Sequence, residues 1–176
     1  MQITIGIGEY AVSNRFNDSI KTYALGSCVA LILFCPVRQV LGMAHIVLPD
    51  SALDQIRAEE YPGYFADTAV DELLAVMEGK AGCSRGLLQA FLYGGAYSPA
   101  MRDLFQVGRR NLAAVEIALA GYGIACRRQQ TGGTWSRTVQ AEVKTGKVQV
   151  EEYPFLFPRS AAVNPCCQKL KHSSTN

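Results

Sequence analysis

The order of apolar and polar positions changes period several times along the chain, and each change marks an element. Ile3, Ile5 and Ile7 alternate with Thr4 and Gly6, which predicts a half-buried strand, and residues 9–13 continue it more weakly. Residues 14–18 are polar and read as a loop. The segment Thr22-Tyr-Ala-Leu-Gly-Ser-Cys28 passes through the turn-forming pair Gly26-Ser27 into the continuous apolar run 29–34. Such a run predicts a strand covered on both faces. Pro36-Val-Arg-Gln39 reads as a turn, and residues 40–48 as another strand, stopped by Pro49. Residues 50–63 are polar and end in Pro62-Gly63, the pattern of a surface loop.

The period then becomes helical. Over residues 65–79, Ala66, Val70, Leu73, Leu74 and Met77 share one face, and Gly79 and Gly82 end the helix. Residues 87–93 read as a buried strand halted by Gly94-Gly95. Residues 111–120 form a second amphipathic helix through Leu112, Val115 and Leu119. Residues 124–129, 136–143 and 147–151 follow as strands, the last two joined by the hairpin signal Lys144-Thr-Gly. There is no internal repeat. Strands in series around two helices predict one layered α/β or α+β domain over residues 1–152. Residues 153–176, with Pro154, Pro158 and Pro165, read as a poorly ordered C-terminal extension.

Composition narrows the chemistry. The chain has 176 residues, 49% hydrophobic and 18% charged, which excludes wholesale disorder. A net charge of +2 gives no field suited to nucleic acid, so Arg109-Arg110 and Arg127-Arg128 read as solvated faces or contacts to an acidic partner. The N-terminus lacks the pattern of a secretory signal, and no apolar run approaches the ~20 residues that span a bilayer. The expectation is a cytoplasmic, reduced protein with no direct membrane insertion. Six cysteines, at 28, 35, 83, 126, 166 and 167, show no Cys-x-x-Cys spacing, which argues against a zinc or redox centre. The vicinal pair Cys166-Cys167 reads as free thiols, because adjacent cysteines rarely close a strain-free mutual disulfide.

There are only two histidines, and only His45 falls within the patterned part of the chain. A free thiol is mostly protonated at neutral pH, so a nucleophilic cysteine needs a base beside it. If residues 29–34 and 40–48 pair as an antiparallel hairpin around residues 36–39, Cys28 faces Val47. His45 then lies on the diagonal of the same face, ~7–8 Å away at the backbone. A bulge at Gly42 would slip the register and put His45 on the opposite face. Cys35, seven positions on, faces away and belongs to the core. The small residues Gly26 and Ser27 leave the Cys28 sulfur approachable and expose backbone N–H groups able to hold an oxyanion. Thr22 is placed to orient the imidazole. Spacing alone leaves open that His45 is a satisfied core histidine and Thr22 an ordinary strand threonine.

Several blocks, in order, resemble the CheD family of chemoreceptor glutamine deamidases. They are Ile5-Gly-Ile-Gly-Glu-Tyr-Ala-Val-Ser13, Thr22-Tyr-Ala-Leu-Gly-Ser-Cys-Val-Ala30 and Gly42-Met-Ala-His-Ile-Val-Leu-Pro49. Tyr93-Gly-Gly-Ala96, the helix start Gly108-Arg-Arg-Asn111, and Gly132-Gly133 with Arg137 continue the resemblance, which covers roughly residues 3–150. It implies a three-layer sandwich of mixed or antiparallel sheet with helices, similar to the catalytic domain of the cytotoxic necrotizing factor deamidases. It also implies hydrolysis of glutamine side chains on the cytoplasmic domain of chemotaxis receptors through a cysteine thioester, with Cys28 as nucleophile, His45 as base and Thr22 in support. A glutamyl methyl-esterase side activity and a CheC-type phosphatase partner go with the resemblance, and no metal or organic cofactor does. The competing reading is a binding module whose main task is to regulate that phosphatase. Gln130, Thr131 and Ser136 depart from the family pattern, which leaves Gly132, Gly133, Trp135 and Arg137 either as substrate or partner contacts or as ordinary hairpin chemistry.

Overall fold

The computed structural model describes residues 1–97 and 104–154. Its organising element is a pair of strands, β4 (Val29–Cys35) and β5 (Val40–Ile46), in which every residue is buried. They form an antiparallel hairpin with Val29 opposite Ile46, Ala30 opposite His45 and Cys35 opposite Val40, with no bulge at Gly42. This is the register expected from the apolar run. The hairpin is the middle of a five-stranded sheet in the order β2 (Tyr10–Ser13), β5, β4, β6 (Gln89–Gly94), β7 (Cys126–Thr131). A second sheet has the order β1 (Gln2–Ile5), β3 (Ser19–Leu25), β8 (Trp135–Glu142), β9 (Val148–Pro154). Both sheets are mixed, because β1–β3 and β6–β7 pair in parallel while the other pairs are antiparallel.

Alternation along β4 divides the interior in two. Val29, Leu31, Leu33 and Cys35 pack against the helices α2 (Ala66–Gly79) and α3 (Val107–Gly121) through Val70, Leu73, Leu112 and Val115. Ala30, Ile32 and Phe34 point the other way and meet Ile5, Ile20, Leu25 and Val139 of the second sheet. The layers are therefore helix, sheet, sheet, an α+β architecture. Each fully buried aliphatic side chain contributes about 1.5–3 kcal/mol. A one-residue slip of β4 would exchange the two sets of side chains between unlike surfaces, so the register is strongly held.

The chain crosses between the sheets four times: the crossings at Gly6–Glu9, Gly26–Cys28 and Gly132–Thr134 share one end of the sandwich, and the one at residues 14–18 lies at the other. The first crossing corrects one expectation. The alternation reaches Ile7, but β1 stops at Ile5, and Ile7 is 61% exposed in the turn that changes sheet. The polar stretch 50–63 is not a plain loop. It carries a short helix α1 (Gln55–Glu60), started by Asp54, whose side chain accepts from the Arg57 N–H. Nothing in α1 is buried, so it leaves no apolar period to read. Helix α3 begins at Val107, a turn ahead of the expected start at residue 111. Tyr153 and Pro154 close β9, and the remainder of the expected extension, including Cys166 and Cys167, lies outside the described residues.

Thr22 and Leu25 are both fully buried although an odd separation should place them on opposite faces. A bulge reconciles them: Thr22 pairs with Val139 and Leu25 with Arg137, so β3 carries one extra residue there. Ala24 adopts a left-handed φ of 56° to accommodate it. That conformation costs an L-residue roughly 1–2 kcal/mol, more than the entropy lost on introducing glycine. Ala24→Gly is expected to raise the unfolding free energy by up to about 1 kcal/mol in urea titration; a decrease would show that the bulge is not strained. Leu73→Ala, which removes a fully buried side chain between α2 and the middle sheet, should lower it by about 2–5 kcal/mol.

Candidate active site

The extension of the β4–β5 register puts Cys28 opposite Val47, just past the last ladder pair, Val29 with Ile46. Cys28 and His45 both belong to the face that looks at the second sheet: Cys28 packs on that core, and His45 is opposite Ala30, which lines it. The methyl group of Ala30 leaves room there for an imidazole. Cys28, Gly26 and Ser27 are half-buried, whereas His45 is 2% exposed. The sandwich therefore brings the predicted thiol and the predicted base to one face at one end.

Thr22 comes from the other sheet. Because the bulge begins just after it, its side chain remains inward, and Thr22 Oγ1 lies 2.7 Å from His45 Nδ1. The same hydroxyl donates to the Ile5 carbonyl at 3.1 Å. A hydroxyl has one proton, and a carbonyl can only accept. Thr22 must therefore accept from His45, which fixes the Nδ1–H tautomer and leaves Nε2 with a free lone pair. Nε2 is buried and has no hydrogen-bond partner among the described residues. A buried, unpartnered acceptor is costly, which is common at sites built for chemistry and not for stability alone.

Burial sets the charge state of both groups. Desolvation pushes the Cys28 thiol up to about 11, and a contact from its own backbone N–H draws it back only slightly. Desolvation pushes the His45 imidazole down to about 4, against a smaller opposing pull from the Glu9 carboxylate. In the free protein the pair is thus thiol and neutral imidazole. At neutral pH His45 is uncharged, with its lone pair on Nε2.

The loop carrying Cys28 is held at three successive carbonyls. Gly26 O accepts from the Ala96 N–H at 2.8 Å, and Cys28 O from the Gly95 N–H at 2.8 Å. Ser27 O accepts from the Asn111 side-chain Nδ2 at 3.1 Å. Among the described residues, the backbone N–H groups of Ser27 and Cys28 enter no backbone hydrogen bond. The expected Gly-Gly segment acts here as a close-approach surface: Gly94 has a φ of 94°, and a Cβ on it would collide with the Cys28 carbonyl oxygen.

The late motif braces this arrangement. The Gly132 N–H donates to Gly94 O at 2.8 Å, and the Tyr97 N–H donates to Gly133 O at 2.9 Å. Arg137 is 5% exposed. Its guanidinium is spent inside, on Gly132 O at 2.8 Å and Glu152 Oε1 at 2.9 Å, so it supports the turn and does not reach outward. Trp135, 45% exposed, and Tyr97, 52% exposed, do face outward beside that turn. Asn111 was quoted above only as part of a helix start. It shares a helical face with Val115 and Leu119, and a polar amide on an apolar stripe is a sign that could have singled it out. Among the described residues no group of three or more His, Cys, Asp or Glu side chains could hold a metal ion, and no helix is long and apolar enough to cross a membrane.

A layered α+β protein with a half-buried thiol and a base-competent histidine at a sheet crossing is the class that fold and site define. The family described as CheD chemotactic sensory transduction matches residues 47–152. A Syntrophotalea carbinolica protein named probable chemoreceptor glutamine deamidase CheD is 42% identical over 151 residues, covering 84% of this chain and 92% of that one. The Thermotoga maritima chemoreceptor glutamine deamidase CheD is 39% identical over 152 residues, covering 86% and 92%, and its Bacillus subtilis namesake 36% over 146 residues, covering 81% and 86%. The chain belongs to the CheD family.

The depressed imidazole has a measurable consequence. The unfolded chain takes up a proton near pH 6.5 that the folded site refuses until about pH 4. The stabilising contribution is therefore whole above the unfolded value and is lost as pH falls through the folded one. Between pH 7 and pH 4 the wild type should lose up to ~3 kcal/mol more unfolding free energy than His45→Gln. Parallel slopes in urea titrations of the two proteins would show that His45 is not held neutral by burial.

Proposed function

We propose that this protein is a protein-glutamine deamidase that converts glutamine side chains on the cytoplasmic domain of chemotaxis receptors to glutamate, releasing ammonia. The observation that carries the reading is the Thr22–His45 contact of 2.7 Å, which leaves His45 Nε2 unpartnered on the face that Cys28 shares. The names of the relatives, all chemoreceptor glutamine deamidases, supply the substrate class.

In this reading the Cys28 sulfur attacks the amide carbon while Nε2 takes the thiol proton, so charge develops only as the bond forms. The N–H groups of Ser27 and Cys28 receive the oxyanion. The intermediate collapses as the imidazolium returns its proton to the departing nitrogen, giving ammonia and a thioester. Nε2 then deprotonates water, which attacks the thioester carbon, and the proton returns to the sulfur as glutamate leaves. Thr22 holds the tautomer throughout. The neutral resting state leaves Nε2 unprotonated at neutral pH and so free to take the thiol proton. A glutamyl methyl ester would follow the same path with methanol as the leaving group. A likeness of fold to the catalytic domain of the cytotoxic necrotizing factor deamidases, which the motif resemblance implies, is part of the same proposal.

The regulatory reading rests on the exposed Trp135 and Tyr97 beside the Gly132–Gly133 turn, where a CheC-type phosphatase would contact the site. Such a partner should be retained by the wild type in a pull-down and lost with Trp135→Ala. For the enzyme, a glutamine-bearing receptor cytoplasmic fragment is incubated with protein and followed by mass spectrometry. Conversion is expected with the wild type, none with Cys28→Ala or His45→Ala, and a rate about 10–100-fold lower with Thr22→Val. An unaltered glutamine complement with the wild type, or full conversion by Cys28→Ala, would sink the reading.

A further inference from the structure

We infer that Asn111 is a positioning residue that aims the oxyanion-binding N–H of Cys28, an inference that rests on the deamidase reading above. Asn111 is fully buried in the second turn of α3, and its Nδ2 donates to two carbonyls, Ser27 O at 3.1 Å and Val47 O at 2.8 Å. Those carbonyls stand where the β4–β5 ladder has run out. Ser27 precedes Cys28, and Val47 is the residue the extended register puts opposite Cys28. A single side-chain amide thus replaces the missing ladder bonds and ties the thiol's loop to the strand that carries His45.

The Ser27 carbonyl belongs to the same peptide group as the Cys28 N–H. That group is planar and trans, so its N–H points opposite to its C=O. Fixing the carbonyl on Asn111 fixes the direction of the N–H. The preceding peptide is fixed likewise through Gly26 O and the Ala96 N–H, which directs the Ser27 N–H. Donors that need no reorientation during reaction stabilise developing charge most. Asn111 Oδ1, in contrast, is buried with no partner among the described residues. An apolar residue would avoid that penalty, so the amide is retained for what Nδ2 holds.

Two reagents separate aiming an oxyanion donor from merely supporting the fold. Acylation of Cys28 by p-nitrophenyl acetate passes through an oxyanion, and alkylation by iodoacetamide does not. The full chain is used as wild type, Asn111→Asp, which keeps the shape and loses the donors, and Asn111→Ala, which loses them without adding a charge. All are assayed below their melting transitions. Acylation of either variant should fall about 10–100-fold while alkylation stays within about twofold of wild type, and receptor-fragment deamidation should fall in kcat with KM little changed. Equal losses in acylation and alkylation would mean a structural role only and overturn the inference. Acylation at the wild-type rate in a folded variant would also overturn it, with the deamidase reading left standing. Failure of the wild type to be acylated at Cys28 would overturn the deamidase reading and the inference with it.

Discussion

The register of β4 against β5 is the constraint from which the rest of the molecule follows. Both strands are buried on both faces, one against helices and one against a second sheet, so neither can slide without exchanging two unlike sets of side chains. That registry places Cys28 and His45 on a common face at a common end. Three of the four crossings between the sheets gather at that end, and each brings a part: the Gly6–Glu9 turn wraps His45, Gly26–Cys28 carries the thiol, and Gly132–Thr134 braces Gly94. The site is built where the chain changes layer because there the backbone leaves ladder pairing and its N–H groups become free for other work.

Burial has a second effect at the same place. The second sheet that supplies Thr22 also removes water from His45, and the low-dielectric setting keeps imidazole and thiol uncharged. Hydrogen-bond direction then decides which ring nitrogen keeps its lone pair. The Ile5 carbonyl holds the Thr22 proton, Thr22 holds the Nδ1 proton, and the lone pair is left on Nε2. The bulge after Thr22 belongs to this chain of dependence, since without the extra residue Thr22 and Leu25 could not both face inward.

Much of this was legible in the residues. The run 29–34 is apolar throughout because both faces of β4 are covered, and the hairpin register followed from its length and from the turn at Pro36–Gln39. The helical faces of α2 and α3 followed from period alone. Other features had no period to show. Helix α1 buries nothing, and Ile7 continues an alternation that its strand does not. Asn111 is polar on an apolar stripe, and its partners are backbone carbonyls 84 and 64 positions away, which no local pattern encodes. Arg137 could be named from the sequence, but whether it faced out or in depended on Glu152 and Gly132 lying beside it.

The amino-acid sequence by itself determined the element types, the pairing of β4 with β5, the family, and the candidates Cys28, His45 and Thr22, because periodicity, turn residues and motif spacing are local properties. Only the tertiary structure decided that Thr22 reaches His45 from another sheet, that the imidazole is neutral with its lone pair on Nε2, and that Asn111 holds the peptide preceding Cys28. Those outcomes depend on which layers meet and how much water they exclude, and desolvation and hydrogen-bond direction are properties of the assembled interior.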